Sequence, residues 1–173
     1  MPSTYTANGG MELPSDGEQS ATWGDTVNDN MSIIDRITNG VGAITLSGTT
    51  HALTTSNGVL SDGQYNVLVL GGSPSGTNTV TVSPNDGQRI YIVKNGSGQT
   101  ATFTQGSGAN VSVLASTTKI IYCDGAGSGA GVVDLTGSLD LGALIVAGTT
   151  VTATGAELNI MDGVTATTAE LNI

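Results

Sequence analysis

The stretch "RIYIVKNGSGQTATFTQG", residues 89–106, decides the fold class. In its first part Ile90, Ile92 and Lys94 share one face of an extended chain, with Tyr91 and Val93 on the other. In its last part Thr100, Thr102 and Thr104 oppose Ala101 and Phe103. A period of two marks a strand with one buried face, because successive side chains point to opposite sides of a sheet. Between the two parts, "KNGSG" holds an Asn-Gly pair suited to a hairpin turn. The expectation is a pair of half-buried antiparallel strands.

The same pattern extends outward from this stretch. "YNVLVLGG", "NTVTVSP", "NVSVLAS" and "TKIIYCDG" are further short apolar runs, with Gly, Asn, Asp or Ser in nearly every gap. Short strands at close spacing predict a small antiparallel β-sandwich or jelly roll over 41–135. Only 3% of residues are aromatic, so its core is expected to be Val, Ile, Leu and Ala.

Toward the N-terminus the character changes. Residues 1–40 read as a polar arm followed by a helix. "MELPSDGEQSATWGD" is rich in turn formers. In "TWGDTVNDNMSIIDRITNG", Val27, Met31 and Ile34 recur at helical spacing, and Ile33 and Ile37 widen the stripe. Thr22 with Asp25 resembles a capping box, and Asn39-Gly40 makes a helix stop. A lone helix of this length is marginal in water, so it must pack on its own domain, on copies of itself, or on a partner.

Beyond residue 135 the chain reads as the start of a shaft of short strands and short helices. "VTATGAELNIMDG" begins at Val151, and the phrase starts again at Val164, a period of 13 residues. Thr154 with Glu157, and Thr167 with Glu170, have capping-box spacing, so each copy is expected to turn from extended chain into a short helix. One such unit cannot bury its own apolar residues. Stacked units, or equivalent units of neighbouring chains, can. A parallel homotrimer follows as the expected assembly. Because the second copy stops unfinished at Ile173, the native chain is expected to continue with an apolar residue and Asp-Gly.

Composition narrows the function. The 173 residues carry a formal charge of −10. Such a surface repels nucleic-acid phosphates and anionic lipid, so neither nucleic-acid binding nor membrane insertion is expected. Residues 1–19 lack the basic segment and apolar stretch of a secretory signal.

Three segments resemble proteins of tailed bacteriophages. "ELPSDGEQSATWGDTVNDNMSIIDRITNG" resembles the N-terminal segment of many tail fibres, especially marine ones. "GQRIYIVKNGSGQTATFTQGSGANVSVLASTTKIIYCDGAGSGAGVVD" resembles the small β domain that follows it. "GTTVTATGAELNIMDGVTATTAELNI" resembles the reiterated unit of fibre shafts. The resemblance implies a trimeric, non-enzymatic virion protein, assembled in the host cytoplasm and released by lysis. Its N-terminal region would dock to a tail adaptor, nozzle or baseplate protein, with Trp23, Val27, Met31, Ile34 and Ile37 making the packed contacts. A distal part beyond these residues would meet the host receptor. Two other readings stand beside it: a capsid decoration or head fibre, and a glycan-binding adhesin module.

No catalytic residue, cofactor or metal is expected. Cys123 ends an apolar run and reads as an inert buried thiol. His51 has no companion at metal-ligand spacing. Asp124, Asp134 and Asp140 read as turn carboxylates, without an EF-hand pattern. "GGSPSG" and "GAGSGAG" lack the Lys of a phosphate cradle and read as loops. Glu157 and Glu170 sit in identical capping contexts, which favours a structural role over paired acids for glycoside cleavage.

Overall fold

A computed structural model describes residues 2–137, 144–146 and 148–152. The chain divides into two compact units, Met1–Ser138 and Leu139–Ile173.

The first unit opens with a two-strand ribbon, β1 (Thr4–Tyr5) against β2 (Glu12–Leu13), and the helix α1 (Trp23–Asn39). Seven strands follow: β3 (Val41–Thr54), β4 (Val67–Ser83), β5 (Arg89–Asn95), β6 (Ala101–Thr104), β7 (Val111–Val113), β8 (Thr118–Cys123) and β9 (Val132–Asp134). The unit is therefore mainly β with one helix, as the alternation in 89–106 implies.

The pairing is mixed, which corrects the expectation that the strands pair antiparallel. β4 pairs in parallel with β3, with β5 and with β6. The antiparallel pairs are β5–β8, β6–β7 and β8–β9. The cause is the length of β4. Its 17 residues would span about 50 Å if straight. Yet Val67 pairs with Ile92 of β5, and the link from Ser83 to Arg89 can reach only about 20 Å. β4 must therefore fold back on itself. Its first half pairs with β5 and its second with β6, while β3 follows it along both halves. "KNGSG" is accordingly no hairpin turn: β5 and β6 lie against different halves of β4, and the segment crosses between them. Likewise "GGSPSG", residues 71–76, is the bend of β4 and not a loop between strands.

Three residues shape the bend. Gly72 has φ +89, and a Cβ there would overlap the Leu46 carbonyl. A bulge sets Thr49 of β3 opposite residues 75–78 of β4. It also switches the inward parity of β3, from Ile44 and Leu46 to Leu53. Asn78 is fully buried, and its Nδ2 donates to the Ser47 and Gly48 carbonyls at the bulge, at 3.2 and 3.4 Å.

The core lies inside this folded sheet. Leu68, Leu70, Val80 and Val82 of β4 meet Tyr91 and Val93 of β5, Phe103 of β6, Val113 of β7 and Ile121 of β8. The alternation read in the sequence holds: Tyr91 and Val93 point in while Ile90 and Ile92 point out, and Ala101 and Phe103 point in. The far strands nearly close the sheet. Gly108 N–H donates to the Ala130 carbonyl at 3.0 Å and Val132 N–H to the Ala109 carbonyl at 2.7 Å, joining the ends of β7 and β9.

In the second unit, β10 (Leu144–Val146) and β11 (Thr149–Val151) pair antiparallel around Gly148.

Candidate functional site

α1 carries an apolar arc wider than the surface that it packs on. One side of the arc turns inward. Ile33 is 0% exposed, Thr26 is buried, and Asn30 and Ile37 are half-buried beside them. The other side, rotated by 100° per residue, holds Trp23, Val27, Met31 and Ile34. Of these, Trp23 is 63%, Met31 59% and Ile34 43% exposed, with Val27 half-buried. Four of the five residues expected to make docking contacts thus form one stripe at i, i+4, i+8 and i+11. Ile37 stands apart on the inner side, and within a single chain nothing covers most of the stripe.

The N-terminus of α1 is built differently from the sequence expectation. Thr22 is already in the helical region, with φ −118 and ψ −3, and makes no side-chain cap. A turn in which the Thr22 and Trp23 N–H groups both donate to the Gln19 carbonyl takes that role. At the other end the helix stops at Gly40, as "Asn39-Gly40" suggests, but in an extended conformation with φ −70. Glycine is required there because a Cβ would overlap the Arg36 carbonyl and the Tyr65 ring. At Gly42 a Cβ would again meet Tyr65. These two glycines form a slot for the ring. Arg36 lies over the ring, its Cζ 4.5 Å from the centroid, and its guanidinium donates to the Ser61 carbonyl at 3.2 Å.

The arm locks the helix in place. Asn30 pairs with the backbone of Glu12 like a neighbouring strand: its Oδ1 accepts from the Glu12 N–H and its Nδ2 donates to the Glu12 carbonyl, each at 2.9 Å. Gln64 is fully buried and does the same work from the β side. Its Oε1 accepts from the Ser61 N–H at 2.8 Å, and its Nε2 donates to the Gly9 carbonyl at 3.0 Å and the Val59 carbonyl at 3.1 Å. The Gly58 N–H donates to the Gly10 carbonyl at 2.6 Å, and the Gln88 N–H to Asn8 Oδ1 at 2.8 Å. The arm is thus part of the first unit. Ser61 and Gln64 have capping-box spacing, a signal present in "SDGQ" but passed over in the sequence reading. Tyr65 and Asn30 carry no comparable signal.

Two hollows border these elements. One of about 420 Å³ lies between Asn8, Met11 and Ile37 and the outer ends of β5 and β8 at Ile90 and Tyr122. The other, of about 550 Å³, joins Met31 of the stripe to Leu60 and Val41.

The single-residue candidates fall elsewhere. Cys123 is buried, and burial, with Asp124 adding to it, pushes its thiol up to about 12. A thiol so protonated is a poor nucleophile. His51 lies on β3, and its Nε2 is buried without a partner. Asp124 Oδ1 accepts from the Ala126 and Gly131 N–H groups, each at 3.0 Å, as a turn carboxylate does. Asp134 accepts from Lys119 Nζ at 2.6 Å, which with the Thr136 hydroxyl holds its carboxyl down to about 2. Among the described residues, no cluster of three or more His, Cys, Asp or Glu could hold a metal ion, and no helix is long and apolar enough to cross a membrane. Asp140, Thr154, Glu157, Thr167 and Glu170 lie outside the described residues. The chain matches no protein-family model, no curated protein and no solved structure.

Proposed function

We propose that this chain is the attachment-proximal part of a bacteriophage tail fibre. It docks to a tail adaptor, nozzle or baseplate protein through α1 and begins a trimeric shaft for host attachment. The observation that carries the reading is the uncovered stripe of Trp23, Met31 and Ile34. A large exposed tryptophan beside two large aliphatic side chains is unfavourable in water unless a partner covers it, and such aromatic anchors dominate protein interfaces. The packing beneath adds support. Ile33 packs the helix inward, Asn30 ties it to the arm at Glu12, and Gln64 ties the arm to the β unit, so the stripe is presented from an ordered helix. The protein acts by binding, without catalysis or cofactor. It belongs to the virion, after assembly in the host cytoplasm and release by lysis.

Imaging of the intact virion with this chain labelled tests the reading. Label at the tail, at the proximal end of the fibres, is the expected outcome. Label distributed over the capsid shell would replace the reading with that of a decoration protein.

A further inference from the structure

A second apolar surface lies on the outside of the β unit; its Val41 end borders the hollow shared with Met31 of the α1 stripe. Five strands contribute to it in order: β3, β4, β5, β8 and β9. Register aligns one residue from each of β3, β4, β5 and β8 into a row, which Leu135, just past the end of β9, extends. Val41 stands beside Val67, Val67 beside Ile92, and Ile92 beside Ile120. Leu135 follows, its N–H donating to the Ile120 carbonyl at 2.9 Å. Every residue of this row is aliphatic, and all but the half-buried Val67 are exposed. Ile90 and Val133 are exposed on one side of the row and Val69 on the other.

An outer sheet face normally carries polar side chains, giving the in–out alternation of a solvated sheet. Here one whole outward row is aliphatic, as on a sheet face that is covered. Charge is distributed accordingly. Among the described residues, the outward positions of β3, β4, β5, β8 and β9 beside this row carry no acidic residue; Asp134 and Lys119 pair at positions of the opposite parity. Among the described residues, Lys94 is the one charged side chain at these outward positions.

We infer that this face is where copies of the chain meet, turned toward a common threefold axis. The inference rests on the trimer proposed above and assigns it a surface. A chain of charge −10 resists approach by its own copies everywhere except where acids are missing, and this face is such a place. Its size also fits. The exposed row and its flanking residues offer on the order of 600 Å², the upper end of what a lone soluble chain leaves bare in one patch. Its position fits as well. Leu135 ends the row three residues before Ser138, the last residue of the first unit. Chains that meet here leave their first units at neighbouring points, which brings together repeats too small to form a core singly.

The test is the mass of the full chain in solution by light scattering, for the wild type and for Ile92→Glu combined with Ile120→Glu. These side chains point away from the core, so the circular dichroism spectrum should change little, while melting should fall only by what the lost assembly contributed. The inference expects three chains for the wild type and one for the variant. A variant that keeps its native spectrum and still weighs three chains overturns it, leaving the trimer to form elsewhere. A wild type of one chain at micromolar concentration overturns both the inference and the trimer. Ile92→Cys gives a second readout that does not depend on the double variant folding. Cys123 is buried, so oxidation should yield a two-chain disulfide species through position 92. No such species from a trimeric sample would equally overturn the inference.

Discussion

At the scale of single residues, the first unit is held by side chains that complete backbone hydrogen bonding. Ile33 anchors α1, and Ile33→Ala should cost about 2–5 kcal/mol in chemical denaturation. Gln64 satisfies the Gly9 and Val59 carbonyls and the Ser61 N–H at once. Gln64→Leu should loosen the arm, seen as faster amide exchange at Gly58, whose N–H donates to Gly10. Asp134 supplies a pH signature. Its carboxyl is held at about 2, below the ordinary 3.8, chiefly by Lys119. The unfolded chain therefore binds its proton first on acidification. The stabilisation is complete above about pH 4 and is lost as pH falls toward 2. Asp134→Asn should remove this part of the acid dependence of melting; an unchanged acid limb would mean that the pair contributes nothing. Cys123 should resist thiol reagents at pH 8 until the protein unfolds, because at about 12 it holds roughly a thousandfold less thiolate than a free cysteine.

At the scale of elements, the sequence was most legible where a simple period ruled. Alternation in 89–106 marked which residues share a face, and helical spacing marked α1. Pairing was not legible. Asn95-Gly96 has the local chemistry of a hairpin, but the local signal says nothing of β4 folding back to receive β5 and β6 separately. That outcome depends on Gly72 and on the bulge at Gly48–Thr50, which act through register and not through a sequence period. The helix was half legible. Its stripe was found, but not its division: Ile33 and Ile37 turn inward, while Trp23, Met31 and Ile34 turn out. This division makes deletion of the arm and helix a poor test of docking, because removing Ile33 would open the unit beneath. Point changes on the outer stripe are cleaner. Met31→Ser should alter stability by less than about 0.5 kcal/mol, as exposed positions do. In the shaft, Thr154→Ala or Thr167→Ala should cost about 1 kcal/mol per chain if the capping boxes form, read as a lower melting step for the shaft with the β unit unaffected.

At the scale of the whole molecule, the first unit presents two apolar surfaces with different proposed roles. We propose that the sheet face of Val41, Ile92 and Ile120 serves copies of the chain, and the stripe of α1 the tail. The roles separate experimentally, because changes on one surface should leave the other's partner in place. The central claim concerns the stripe, and the direct measurement is electron microscopy of particles carrying Trp23→Asp with Met31→Asp, alongside melting of the purified variant. The account predicts a chain that melts as the wild type does, retains its three-chain mass, and yields particles without fibres. Particles bearing a normal complement of fibres, built from a variant that folds normally, would contradict it.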